Sequence, residues 1–127
     1  MTAQDLVAHA ANTLLDPNGR DLAAAVQWWD LPGLDAGPWP VAVVGEGPPI
    51  LALHGFDSSH LEFRRLAPLL AKQHQLFIPD LFGFGFCPRP AGAPYGPEAV
   101  LDHLQRVLEQ VLSRSGACQV GLIGASM

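Results

Sequence analysis

From residue 50 onward, apolar positions gather into three short continuous runs separated by longer amphipathic stretches. Ile50-Leu51-Ala52-Leu53, bounded by Pro49 and Gly55, has the pattern of a strand buried on both faces of a parallel sheet, Gln75-Leu76-Phe77-Ile78 predicts the next strand, and Val120-Gly121-Leu122-Ile123 a further buried one. Between the first two, Ser59 and Glu62 have capping-box spacing. Leu61, Leu66, Leu69 and Leu70 then continue an apolar helical face, which Pro68 must kink or split. Pro97 and Glu98 suit the first turn of a longer helix, with Leu101, Leu104, Leu108, Val111 and Leu112 as its stripe and Gly116 as its end. Strand, helix, strand, helix, strand predicts an α/β fold, a mostly parallel sheet with flanking helices.

The opening 39 residues read differently. Leu6, Val7, Ala10, Leu14 and Leu15 predict a helix over residues 3 to 15, stopped by the turn chemistry of Asp16-Pro17-Asn18-Gly19. Ala25 to Leu31 and Pro40 to Val44 are β-favouring runs separated by Pro32-Gly33, so two opening strands are expected. Trp28, Trp29 and Trp39 cluster there and suit an aromatic core or hairpin contact. The chain thus divides into an N-terminal helix and opening strand region, residues 1–39, and an α/β body, residues 40–127.

Composition narrows the partners. The 127 residues are 49% hydrophobic and 15% charged, enough apolar material for one globular core. Twelve acidic residues against seven Lys and Arg give a net charge of -5, with no basic run to neutralise phosphates, so neither nucleic acid nor an anionic membrane is an expected partner. Cys87 and Cys118 form no C-x-x-C or Cys/His pattern and read as small buried hydrophobes, which predicts neither a disulfide framework nor a metal site. With no basic leader and no apolar run near the roughly 18 residues of a membrane span, a cytoplasmic protein is expected. Gly83-Phe84-Gly85 lacks the third glycine of a dinucleotide loop, and Pro88 and Pro90 prevent a helix opening there, so no cofactor is expected.

Sheets of this class bind ligands at the carboxyl ends of their strands. The segments there are His54-Gly55-Phe56, the loop from Asp80 to Pro90, and Gly124-Ala125-Ser126-Met127. The last follows a predicted strand and has the small residues that let a serine sit on a sharp strand-to-helix turn with its hydroxyl exposed. Gly55 would let the first segment turn tightly enough to aim a backbone N–H at an acyl oxygen.

A strand into HGF, a strand into PDLFGFG and a strand into GASM, in this order, resembles the α/β-hydrolase fold family over about residues 40 to 127. The resemblance implies that Ser126 is the nucleophile and that the backbone N–H groups of Phe56 and Met127 form the oxyanion hole. A serine rather than an aspartate points away from the dehalogenase and epoxide-hydrolase branches, and GASM looks like the elbow of esterases, perhydrolases and carbon–carbon bond hydrolases. In this family the acid and histidine follow the nucleophile. Asp80 is therefore expected as a loop-capping carboxylate and His54 as a packed residue beneath the oxyanion loop, while His9, His60, His74 and His103 are expected at the surface. Phe82, Phe84 and Phe86 either line an acyl pocket or pack their loop against the sheet. Cys87 departs from the serine often found at its position.

The expected function is a serine hydrolase acting on a small-molecule ester or related carbonyl substrate. The chain reads as the N-terminal half of that fold, truncated at the nucleophile elbow and inactive alone, because no histidine follows Ser126 and the α-carboxylate of Met127 would oppose a developing oxyanion. An unpaired apolar strand edge would then favour oligomers or aggregates. The alternative is a non-catalytic α/β-hydrolase-like module that binds a partner or small apolar ligand on the same sheet.

Overall fold

A computed structural model of the chain describes residues 2–34, 36–89, 92 and 95–125. Two short helices open it, α1 (Ala3–Thr13) and α2 (Pro17–Ala24). Thr2 and Asp5 exchange side-chain and backbone hydrogen bonds in a capping box that starts α1. The Asp16-Pro17-Asn18-Gly19 turn ends α1, as expected, and also starts α2. Asp16 accepts from the Asn18 amide at 3.0 Å and Pro17 occupies the first turn, where its missing N–H costs nothing.

Strands β1 (Val26–Trp29), β2 (Trp39–Val44), β3 (Pro49–Leu53), β4 (Gln75–Pro79) and β5 (Gly121–Gly124) form one sheet in the order β1-β2-β4-β3-β5. Its β4-β3-β5 half is parallel, and β1 and β2 add to it antiparallel, so the sheet is mixed. Trp29 lies opposite Trp39 in the β1–β2 ladder. A 3₁₀ turn (His60–Phe63) and α3 (Ala67–Leu70) connect β3 to β4, and α4 (Pro97–Ser115) connects β4 to β5. Pro68 therefore splits the expected helix in two rather than kinking it.

Side-chain alternation along β4 shows why both faces must be covered. Leu76 and Ile78 pack with Leu22, Phe63 and Ala67 on one face, while Phe77 packs with Trp29, Trp39, Val107 and Val111 on the other. Strand β5 departs from the expectation of burial on both faces. Among the described residues it pairs with β3 alone, and Leu122 is 68% exposed.

The register of α4 also differs from the stripe read in the sequence. Its buried residues are His103, Val107 and Val111, spaced four apart on the face that meets the sheet, and Gly116 ends the helix at φ 70°. Leu101 and Leu108 lie to one flank, where with Leu53 and Leu122 they line an open apolar groove of about 390 Å³ beside β5. Cys118, in the connector that follows α4, is exposed rather than buried. Among the described residues no helix is long and apolar enough to cross a membrane.

His103 is a further correction, since it was expected at the surface and is fully buried. Its ring lies 5.0 Å from that of Trp39 and 6.2 Å from that of Phe82. Neither of its nitrogens, nor Trp39 Nε1, has a hydrogen-bond partner among the described residues. A charged imidazole without partners is strongly disfavoured there. Burial lowers the His103 pKa to about 4, although Asp102 and Asp80 pull the other way.

In the unfolded chain this histidine takes up a proton near pH 6.5, and in the folded chain only near 4. Its contribution to stability is therefore complete above about pH 6.5 and falls as the pH drops toward 4. Urea unfolding midpoints measured across this window should decline in the wild type and decline less in His103→Leu.

Candidate active site

The parallel half of the sheet brings three loops to one end. Leu53 pairs with Gly124, and the Ala125 amide donates to the Leu53 carbonyl at 2.9 Å, so the chain leaving β5 is held beside the chain leaving β3 at His54. Ser126 and Met127 lie outside the described residues. The Phe56 N–H makes no hydrogen bond among the described residues. Its side chain is 66% exposed and meets Phe84 edge-on, with ring centroids 5.4 Å apart. The left-handed residue of this turn is Asp57, at φ 55°, rather than Gly55. Aspartate tolerates that region better than most side chains do.

His54 is buried, as expected, and both ring nitrogens are in use. Nε2 accepts from the Leu81 amide at 2.9 Å, which leaves the proton on Nδ1 to be donated to the Gly55 carbonyl at 2.8 Å. A histidine so engaged has no free lone pair with which to take a proton from a serine.

Asp80 joins the other loops and is 1% exposed. Its Oδ1 accepts from the His60 amide at 2.6 Å and from the His60 ring Nδ1 at 2.8 Å, and its Oδ2 accepts from the Phe86 amide at 2.8 Å. The loop-capping role expected of it is thus filled by three N–H donors. Burial alone would push its carboxyl up. The hydrogen bond and attraction from the His60 ring, with the Phe86 and His60 amides, outweigh that and hold it below the usual carboxylate range. His60 is buried, not at the surface, because this carboxylate draws it in.

Gly85 lets the loop close over the carboxylate. It sits at φ 57°, and a Cβ there would lie 2.5 Å from Asp80 Cγ. Cys87 donates its thiol to the Asp80 carbonyl at 3.1 Å, and burial pushes that thiol up, so it is inert.

Glu62 corrects the expected capping box. Ser59 Oγ accepts from the Leu61 amide at 3.2 Å, but the Glu62 carboxylate accepts from the Gly55 amide at 3.0 Å, bridging back to the loop after β3. The three phenylalanines also separate. Phe82 is buried against Trp39, Phe84 lies against Phe56 and His54, and Phe86 lies against His60. Phe84 is thereby placed against the Phe56 side chain of the expected oxyanion turn. Among the described residues no group of His, Cys, Asp and Glu is arranged to hold a metal ion.

Removing the Asp80 carboxylate strands its buried donors, and the loss of one partner of a buried pair costs about 3–5 kcal/mol. Asp80→Ala should lower stability on that scale in urea unfolding at pH 7. Because its folded pKa is depressed, the Asp80 contribution is present above the ordinary carboxylate value and is lost as the pH falls through the lower folded value. This acid limb lies below the one set by His103.

Residues 48–127 match the family model described as the alpha/beta hydrolase fold. The chain is 35% identical over 69 residues to 2-hydroxy-6-oxo-2,4-heptadienoate hydrolase of Pseudomonas putida, covering 52% of this chain and 25% of that protein. It is 41% identical over 63 residues to Lipase 1 of Psychrobacter immobilis, covering 50% of this chain and 20% of that protein. An epoxide hydrolase from Vigna radiata superposes with a TM-score of 0.66 at 25% identity, over 80% of this chain and 30% of that one. The chain thus spans about a quarter of the length of the curated relatives it matches. The matched segment holds β3, β4 and β5 with all three of their loops, and the chain belongs to the alpha/beta hydrolase fold family.

Proposed function

We propose that Ser126 is the nucleophile of a serine hydrolase acting on a small-molecule ester or related carbonyl substrate, with the Phe56 and Met127 N–H groups as oxyanion donors. The observation that carries this reading is the bond from the Ala125 amide to the Leu53 carbonyl, which holds the chain one residue before the serine beside the Phe56 turn. In the reaction, the serine Oγ bonds to the carbonyl carbon while its proton passes to a histidine, and the carbonyl oxygen gains charge against the two N–H groups. Each such donor contributes roughly 2.7–4 kcal/mol of barrier reduction.

The five histidines of this chain all precede Ser126, whereas in this family the catalytic histidine follows the nucleophile. His54 has both nitrogens engaged, His60 is buried against Asp80, and His103 is enclosed in the core. His9 lies in α1, and His74 lies at the opposite, amino end of β4. On this reading the 127 residues lack the base that ester hydrolysis needs. The purified chain should turn over p-nitrophenyl butyrate no faster than Ser126→Ala. Turnover lost on that substitution would overturn the claim of inactivity.

The nucleophile assignment has its own test. Where coding sequence continues beyond codon 127, this reading expects a glycine directly after Met127, then an acidic residue and a later histidine. Expressed with that sequence, the protein should hydrolyse the ester and lose about three orders of magnitude or more in rate on Ser126→Ala. Downstream sequence with neither acid nor histidine would favour the non-catalytic binding module.

The open edge of β5, with Leu122 exposed over the groove of Leu101 and Leu108, supports self-association of this chain in solution. Sedimentation velocity is expected to show oligomers that Leu122→Lys reduces, and a monodisperse wild-type monomer would count against it.

A further inference from the structure

We infer that Glu62 is a positioning residue for the oxyanion turn. The inference rests on the reading of Phe56 as an oxyanion donor. Gly55 separates two peptide planes and, lacking a Cβ, is the residue about which they reorient most freely. One of these planes contains the Gly55 carbonyl and the Phe56 N–H. In a trans peptide those two groups point in opposite directions, so the hydrogen bond from His54 Nδ1 to the Gly55 carbonyl fixes where the Phe56 N–H points.

The other plane carries the Gly55 N–H, and Glu62 holds it at 3.0 Å from seven residues away. With both planes held, rotation about Gly55 is blocked from each side. The Gly55 N–H is also spoken for, which leaves the Phe56 N–H as the group of this pair open to an oxygen atom. A charged acceptor suits the task because hydrogen bonds from amides to carboxylates are stronger than neutral ones. Glu62 itself is exposed, so its side chain can be truncated without opening the core.

The test uses the 127-residue chain, isotope-labelled, and needs no turnover. In Glu62→Ala, amide hydrogen exchange at Gly55 should accelerate at least tenfold, and the residual dipolar coupling of the Phe56 N–H should change. Glu62→Gln, which keeps an acceptor oxygen, should restore both. Exchange at Ile50 to Leu53 should stay as in the wild type. The inference is overturned if Glu62→Ala leaves Gly55 exchange or the Phe56 coupling unaltered. It is equally overturned if exchange rises as much along β3 as at Gly55, which marks a general loss of stability. A negative result leaves the Ser126 assignment standing, and an inactive Ser126 leaves these measurements valid.

Discussion

The arrangement at the carboxyl end of the sheet depends on one buried carboxylate. Asp80 directly follows β4 and accepts from the backbone and ring of His60, twenty positions earlier, and from the backbone of Phe86, six positions later. Few groups can be buried at this depth as charges, and this one is tolerable because three N–H donors replace its water. The geometry that satisfies it also dictates the shape around it. The loop after β3 must come down to Asp80 at His60, and the loop after β4 must turn back at Gly85.

Sheet topology supplies the rest. The two crossovers leave β3 and β4 and cover opposite faces, so β3 sits between β4 and β5 with all three carboxyl ends side by side. Distance along the chain then matters little. Glu62 reaches Gly55, Leu81 reaches His54, and Ala125 reaches Leu53, each by a single hydrogen bond. The antiparallel pair β1 and β2 takes no part in these contacts. It extends the sheet on the far side and contributes Trp29 and Trp39 to the core under α4.

Much of the fold was legible because its signals are local. Continuous apolar runs marked β3 and β4, Pro97 and Gly116 marked the ends of α4, and the three loop motifs fell where the strands end. What escaped depends on partners distant in sequence. His60 reads as a surface histidine until Asp80 is known to lie beneath it. His103 occupies a position in α4 that a leucine-weighted stripe passes over, because the helix presents His103, Val107 and Val111 to the sheet and turns Leu101 and Leu108 aside. Glu62 has the spacing of a capping box but a better-placed donor in Gly55. Burial of Cys87 was legible, whereas Cys118 lies exposed in the connector between α4 and β5.

The loop that Asp80 closes is small. Between its carboxylate and the Phe86 amide lie only Leu81 to Gly85, pinned at both ends and tied to His54 through Leu81. This ring sends Phe82 inward to Trp39 and His103 and Phe84 outward to Phe56. Two neighbouring alternate positions thus answer to different demands. The inner side chain is fixed by the core, while the outer one lies half-buried against the rings of Phe56 and His54. A loop five residues long between Asp80 and Phe86 thus fastens the core on one side and the turn after β3 on the other.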